Sequence, residues 1–203
     1  MRGTELQRVA ALIPAAGKSS RMGSPKALLL YLGKTFIHNI VTELCCSGIN
    51  HIFVTLPTSH GREQVTEILS GQPVALVENL FPDREMLGSI QSMLLHHAFN
   101  ADALLICPVD MPFIRRAHIE RLLSAFEDSK SDQLIFCASH GEEIGHPILV
   151  KQALYDAVRR LGINDSIRSI IKRYAHNVVK VECHDEKLIL NINTPQDYER
   201  HLG

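Results

Sequence analysis

The sequence predicts an α/β fold of the Rossmann-like, doubly wound type, built on a mainly parallel sheet. Apolar runs alternate with helix-like patterns along the first half of the chain. Two of these runs, at residues 9–13 and 103–107, contain no alternating polar residues, which is typical of strands covered on both faces. Such alternation of strands and helices favours a parallel sheet with helices on both sides. Ligands of these sheets bind beyond the carboxyl ends of the strands.

Hydrophobic periodicity and turn signals assign the elements in order. In the first half we predict strands at residues 9–14, 51–56, 74–77, 103–108 and 134–138, and helices at 35–46, 62–69, 90–99 and 117–126. The less regular second half predicts strands at 146–150, 177–181 and 188–190, and helices at 151–161 and 166–174, the latter capped by Asp165. A last helix opens with Thr194 as N-cap, Pro195 in the first turn and Asp197 at N3.

Composition excludes several classes of protein. A chain of 203 residues with 45% apolar residues suits one domain, residues 1–203, with a substantial core. A net charge of −1 provides no global field for nucleic acid or an anionic membrane. Five cysteines without C-x-x-C spacing argue against a disulfide framework and against a zinc site. Because no apolar run approaches membrane-spanning length, we expect a reduced, cytoplasmic location.

The segment at residues 13–26, which reads I-P-A-A-G-K-S-S-R-M-G-S-P-K, carries the main functional signal. Its small residues let backbone N–H groups approach a ligand closely, and Lys18, Arg21 and Lys26 add cations. This combination suits a polyphosphate, whose oxygens only accept hydrogen bonds. The spacing fits neither a P-loop nor a dinucleotide fingerprint. The alternative is an ordinary strand-to-helix loop with solvated basic residues, of which Lys18 is the clearest candidate.

Asp110 is the candidate metal ligand. It follows a buried-type strand and lies between Pro108 and Pro112, which stiffen the backbone around it. A carboxylate at this position can hold Mg²⁺, which prefers oxygen ligands and substrate phosphates. The alternative is a turn aspartate that bonds nearby backbone N–H groups.

The segment at residues 13–26 resembles the signature of the sugar-nucleotide-type nucleotidyltransferases. Within them the chain resembles the branch that contains the molybdenum cofactor cytidylyltransferases and guanylyltransferases. Supporting segments are C-P-V-D-M-P at 107–112, Gly145-His146-Pro147, and N-I-N-T-P-Q-D at 191–197. The resemblance implies the nucleotide-diphospho-sugar transferase fold. It also implies Mg²⁺-dependent transfer of a nucleoside monophosphate from an NTP to a phosphate-bearing acceptor, with release of pyrophosphate.

The resemblance also implies roles for single residues. Arg21, Lys26 and Asp110 would be catalytic, and Gly145, His146 and Pro147 would face the acceptor. Each role has a structural alternative, such as helix capping for Ser89 or a hydrogen-bonding role for His146. The nucleotide would contact Pro14, Ala15, Ala16, Gly17, Arg21, Lys26, Glu78 and Ser89.

The metal end departs from the resemblance. Cytidylyltransferases usually have D-I-D-T-P-E-D where this chain has amides at Asn191 and Asn193. The Asn193 carbonyl can still be a second Mg²⁺ ligand, but it brings no charge. A cap or loop hydrogen bond is the alternative role for Asn193. The same departure motivates a rival reading of the chain as a non-catalytic nucleotide-binding or cofactor-binding relative.

Ala15-Ala16-Gly17 bears on the nucleotide base, since the guanylyl branch usually reads A-G-G there. It therefore favours CTP over GTP. The implied acceptor is molybdopterin, with molybdoenzymes or their chaperones as further partners and no role for nucleic acid or membranes. A GTP-using guanylyltransferase and a cytidylyltransferase for a sugar or polyol phosphate, such as methylerythritol phosphate, remain alternatives.

Overall fold

The computed structural model describes residues 9–17, 19, 21–56, 61–96 and 100–203. Within these ranges the strands are β1 (Val9–Pro14), β2 (Leu30–Tyr31), β3 (Lys34–Thr35), β4 (His51–Leu56), β5 (Val74–Glu78), β6 (Ala103–Ile106), β7 (Ile135–His140), β8 (Glu143–Lys151) and β9 (Val178–Glu182). The α-helices are α1 (Phe36–Cys46), α2 (Arg62–Ile68), α3 (Glu85–Leu95), α4 (Arg116–Glu127), α5 (Tyr155–Arg159), α6 (Ile167–Arg173) and α7 (Pro195–Leu202).

Seven strands form one sheet in the order β5-β4-β1-β6-β8-β7-β9. The pairs β5–β4, β4–β1, β1–β6 and β7–β9 are parallel, whereas β8 runs antiparallel to both β6 and β7. The mainly parallel sheet is therefore confirmed. The short strands β2 and β3 form a separate hairpin between β1 and α1.

Both faces of the sheet are covered by helices. Side chains alternate along β1, so Ala11 and Ile13 pack into one apolar cluster while Ala10 and Leu12 pack into the other. The first cluster includes residues of α1, α2 and α4, with α7 packed against its edge, and the second includes residues of α3, α5 and α6. This two-sided burial explains why the β1 sequence is apolar without a break.

The chain reverses its direction of strand addition at β1. From β1 the sheet grows through β4 and β5 to one side and through β6 to the other. The segments that follow β1 and β6 therefore leave the same edge side by side. A sheet of this type forms its ligand crevice at such a switch point.

Several element predictions need correction. Residues 188–190 are not a strand: Leu188 and Ile189 end a 3₁₀ helix at Glu186–Ile189, and Leu190 is its C-cap. The Asp185 carboxylate accepts from the backbone N–H of Lys187 at the start of this helix. The helix predicted at 151–161 is a 3₁₀ helix at Gln152–Leu154 followed by the short α5. Asp165 does not cap α6: the N-cap is Ser166, and the Asp165 carboxylate accepts from the N–H of Gly162 instead.

Helix α3 begins five residues before the predicted helix at 90–99, of which residues 97–99 lie outside the described part. Its buried residues start at Leu87, so the buried face begins three residues before the predicted start of the helix. Ser89 is consequently a buried residue inside the helix, 1% exposed, and does not cap it.

Three of the five cysteines lie in the apolar core. All five cysteines are free, and Cys107, Cys137 and Cys183 are buried. Burial raises the pKa of the Cys137 thiol to about 12, which keeps this thiol protonated. No helix in the described residues combines the length and the apolar character that crossing a membrane requires.

Two glycines allow close backbone contacts near the ligand edge. A Cβ on Gly88 would overlap the carbonyl oxygen of Phe81, and one on Gly145 would overlap the carbonyl oxygen of Leu188. Gly88 thus sets how closely α3 approaches the preceding loop. Gly145 sets how closely β8 approaches the 3₁₀ helix at Glu186–Ile189.

Gly88→Ala should destabilise the protein by about 1–3 kcal/mol, because the overlap with a backbone carbonyl outweighs the better helix propensity of alanine. Gly17→Ala is the matched control, since a Cβ there has no heavy atom within 4 Å. Urea denaturation of both variants measures the effect. An unchanged or raised stability of Gly88→Ala would contradict the close contact.

Candidate active site

A cavity of about 880 Å³ opens at the carboxyl ends of β1 and β6. Its walls come from the loop after β1, the start of α3, the loop after β6, strand β8, helix α6 and the segment before α7. These elements are distant in sequence. They meet because successive strands are added first on one side of β1 and then on the other. The cavity is therefore where the fold predicts a ligand.

The loop after β1 is held by backbone hydrogen bonds at both ends. The N–H of Ala15 donates to the carbonyl oxygen of Thr55 in β4, over 3.2 Å. Ser19 has a left-handed backbone conformation with φ 47°, its carbonyl oxygen accepts from Met22 N, and its hydroxyl accepts from Lys26 N at 3.3 Å. Ser19 thus folds the loop back and places Lys26, in a 3₁₀ turn, beside the cavity.

The Lys26 ammonium is the centre of the site. Its Nζ lies 3.0 Å from Asp110 Oδ2 and 2.6 Å from Asn193 Oδ1. The Lys26 and Asp110 side chains are only 15% and 25% exposed, so the ion pair is partly shielded from solvent. The two residues that the sequence predicts as metal ligands therefore converge on one cation.

Backbone hydrogen bonds hold Asp110 and Asn193 in register. The N–H of Ile192 donates to the carbonyl oxygen of Asp110 at 2.8 Å, and the Ile192 side chain is fully buried. Asp197 Oδ2 accepts from the N–H groups of Asn193, at 3.0 Å, and Thr194, at 2.9 Å. The Thr194 hydroxyl in turn accepts from Asp197 N. Hydrogen bonding of the Asp197 carboxylate, first to the Thr194 side chain and then to the Asn193 and Thr194 N–H groups, lowers the pKa of Asp197.

The predicted cap of α7 is thus confirmed, and it has a consequence for the site. In the capping box the Thr194 hydroxyl accepts from the Asp197 N–H, and the Asp197 carboxylate accepts from the Thr194 N–H. The Asn193 side chain takes no part in this cap and accepts from Lys26 instead. Asn193 is not the cap. Its amide oxygen faces the same cation as the Asp110 carboxylate.

His146 borders the cavity beside Asp110. It precedes Pro147 through a cis peptide bond. The imidazole Nε2 is shielded from solvent and has no hydrogen-bond partner within the described part of the chain. Burial lowers the pKa of His146 to about 4. The negative charge of Asp110 raises this pKa and the positive charge of Arg168 lowers it, but burial is the largest effect. The ring is therefore neutral near pH 7.

Most of the predicted site residues come together around this cavity, and two do not. Glu78 is exposed at the end of β5 and does not line the cavity, and Pro147 is buried behind it. Lys18 lies outside the described residues. The lining contains Pro14, Ala15, Ala16, Gly17, Arg21, Lys26, Ser89, Asp110, Gly145, His146 and Asn193.

Sequence reasoning missed the contribution of α6. Arg168 and Lys172, one helical turn apart and both exposed, line the cavity on the side of His146. The i, i+4 spacing of these two basic residues in the sequence indicates that they share one face of the helix. Only the position of α6 on the sheet, however, turns that face towards the site.

Asp83 and Glu85 are further missed residues, at the wall formed by the start of α3. Glu85 has a positive φ of 48°, a conformation that non-glycine residues rarely adopt and that concentrates at ligand sites. The cavity therefore carries cations on two walls and carboxylates on a third.

The residues present fit a divalent cation of the magnesium type. The donor pair consists of one carboxylate and one amide oxygen, and an ammonium group already lies between them. The described residues contain no cluster of three His, Cys, Asp or Glu side chains that could hold a metal by themselves. A cation on Asp110 and Asn193 would thus need further oxygen ligands from substrate phosphates and water, which is the usual coordination of Mg²⁺.

Comparison with known proteins identifies the family of this chain. Residues 11–178 match the MobA-like NTP transferase domain. The chain belongs to this family. A relative of the MobA-like domain is the molybdenum cofactor guanylyltransferase of Xanthomonas euvesicatoria, which is 27% identical over 196 residues, covering 93% of this chain and 92% of the relative.

Solved structures show the same fold as this MobA-like domain. Rv0371c from Mycobacterium tuberculosis superposes with a TM-score of 0.78 at 22% identity, covering 97% of this chain and 98% of that one. A complex of Rv0371c with manganese gives a TM-score of 0.75 at 20% identity, with coverage of 97% and 98%. The predicted nucleotidyltransferase type of α/β fold, the nucleotide-diphospho-sugar transferase fold, is confirmed.

His146 should make the stability of this MobA-like domain sensitive to acid. Because its pKa lies below the ordinary value, the unfolded chain takes up the proton first as pH falls, and the folded state loses stability below about pH 6.5. Between pH 7 and about pH 4.5, the free energy of unfolding of His146→Gln should therefore fall by about 2–3 kcal/mol less than that of the unaltered protein. Denaturant titrations at three pH values test this, and parallel pH dependences would contradict a buried neutral His146.

Proposed function

We propose that this chain transfers a nucleoside monophosphate from an NTP to a phosphate-bearing acceptor of the molybdopterin type, and releases pyrophosphate. The observation that carries the proposal is the convergence of Asp110 and Asn193 on one cation beside the loop after β1. Membership of the MobA-like NTP transferase domain family supports it, as does the name of the Xanthomonas relative.

In the proposed reaction a phosphate oxygen of the acceptor attacks the α-phosphorus of the NTP. A new P–O bond forms there, the bond from the α-phosphorus to the bridging oxygen breaks, and pyrophosphate leaves with those electrons. The acceptor phosphate is already ionised at neutral pH, so no protein base has to remove a proton. Catalysis then depends on positioning and on charge stabilisation.

The triphosphate would be held by the loop after β1. Ala16 and Gly17 line the cavity together with Arg21. The backbone N–H groups of Ala16 and Gly17 would donate to phosphate oxygens, and the planar guanidinium of Arg21 can bind two of them. Asp110 and Asn193 would hold Mg²⁺, and Mg²⁺ when bound neutralises charge on the phosphates.

The acceptor would enter from the opposite wall. Arg168 and Lys172 on α6 lie on the side of the cavity where β8 contributes Gly145 and His146. Two cations at helical spacing suit a phosphate monoester, and the neutral imidazole of His146 offers a hydrogen bond to a neutral group of the acceptor. Pro147 would support this wall from behind.

Two observations favour different bases. The Ala15-Ala16-Gly17 segment lines the cavity and favours CTP, since Ala16 adds a methyl group that reduces the space for a purine. The guanylyltransferase name of the Xanthomonas relative favours GTP. The two nucleotides are therefore tested side by side.

With Mg²⁺ present, either CTP or GTP at about 100 times its dissociation constant should raise the melting temperature by several degrees. ATP and UTP serve as controls and should produce much smaller shifts. Equal shifts for all four would contradict selection of the base by this cavity. Absence of any shift would contradict nucleotide binding.

Asp110→Ala should lower pyrophosphate release with molybdopterin as acceptor by at least about 10³-fold, because it removes the charged ligand of the metal. The fold should persist. Asp156→Ala is the control, because Asp156 is an exposed carboxylate of α5 that pairs with Arg159 away from the cavity. Full turnover of Asp110→Ala would exclude the metal role. Nucleotide binding without pyrophosphate release by the unaltered protein would favour the non-catalytic relative.

A further inference from the structure

A single cation position lies between Asp110 and Asn193, and Lys26 fills it. The ammonium nitrogen is within hydrogen-bond distance of both oxygens, at 3.0 Å and 2.6 Å. These two oxygens come from loops that are fixed to each other through the Ile192 N–H and the Asp110 carbonyl oxygen. The two loops that carry these oxygens are therefore held side by side by a contact that does not involve Lys26.

A divalent cation on the same two oxygens excludes the ammonium group. Mg²⁺ binds its oxygen ligands at about 2.0–2.1 Å, closer than Lys26 lies to either of them. An ion at that distance from both oxygens would occupy the space of Nζ, and two positive charges in contact within a partly shielded site would repel each other strongly. Lys26 and a metal ion therefore use this position in turn.

We propose that Lys26 blocks the metal position in the free protein and is exchanged for the divalent cation only when a triphosphate provides the ammonium group with a new partner. This inference rests on the proposed function, since it uses the same metal ligands. Lys26 is attached to the loop that lines the nucleotide side of the cavity, and its four-carbon chain can turn towards phosphate oxygens.

The exchange makes the binding of metal and nucleotide cooperative. Metal alone must displace an ammonium group from two oxygens without giving it another acceptor, so it binds weakly. A triphosphate binds Lys26 and contributes oxygens to the metal, so each ligand lowers the cost of binding the other. Since such coupling is reciprocal, the metal must raise nucleotide affinity by the same factor as the nucleotide raises metal affinity.

Mn²⁺ alone, followed by the electron paramagnetic resonance signal of the free ion, tests the exchange without any turnover. Lys26→Met should bind Mn²⁺ at least about tenfold more tightly than the unaltered protein, because a charge-assisted contact no longer competes for the oxygens. Lys26→Arg keeps a cation at this position and should stay close to the unaltered affinity. The tighter binding expected of Lys26→Met cannot come from a fold defect, because a disrupted site would bind Mn²⁺ less tightly.

Lys172→Met is the matched control for net charge, since it removes a cation from the same cavity without touching Asp110 or Asn193. It should change the Mn²⁺ affinity by less than about threefold. The α,β-methylene analogues of CTP and GTP should tighten Mn²⁺ binding to the unaltered protein much more than to Lys26→Met.

The outcomes separate this inference from the proposed function. If Asp110→Asn weakens Mn²⁺ binding in the presence of nucleotide but Lys26→Met binds Mn²⁺ alone no more tightly than Lys172→Met, the metal site stands and the exchange is wrong. If Asp110→Asn has no effect on Mn²⁺ binding with or without nucleotide, the metal site itself is wrong, and the exchange fails with it.

Discussion

The contact of one ammonium group with two oxygens is the interaction on which this site depends. Lys26 is separated from Asp110 by 84 residues and from Asn193 by 167 residues, so the contact joins three remote loops at one point. Each loop is also held by other contacts: the first by Ser19, the second by the turn after β6, and the third by the capping box of α7, while the Ile192 N–H joins the second loop to the third. The geometry is thus largely set before a ligand binds, which reduces the ordering cost of binding.

The sheet explains why these loops can meet. Strand β1 lies between β4 and β6, so the loops after β1 and β6 leave the same edge as neighbours. The antiparallel strand β8 then carries Gly145 and His146 to that edge, and the missing side chain of Gly145 lets the 3₁₀ helix at Glu186–Ile189 pack directly against it. The wall that carries Gly145 and His146 is therefore joined by backbone packing to the segment that leads to Asn193.

Local signals in the sequence were sufficient for much of this arrangement. Strands β1 and β4 have the predicted bounds, and Thr194 caps α7 as its spacing with Pro195 and Asp197 indicates. Asp110 and Asn193 were paired by resemblance, and the structure brings their oxygens onto one cation. What local signals could not supply was long-range packing. Leu188 lies in an apolar run and is fully buried, but it belongs to a 3₁₀ helix and not to a strand. Glu78 follows another apolar run, but it ends an edge strand away from the cavity.

Anomalous diffraction from crystals grown with Mn²⁺ and a non-hydrolysable nucleotide would locate both the metal ion and the Lys26 ammonium group. We expect a manganese peak bonded to Asp110 Oδ2 and Asn193 Oδ1, with Lys26 Nζ moved to a phosphate oxygen. A manganese peak elsewhere, with the Lys26 ammonium group still between Asp110 and Asn193, would contradict this expectation.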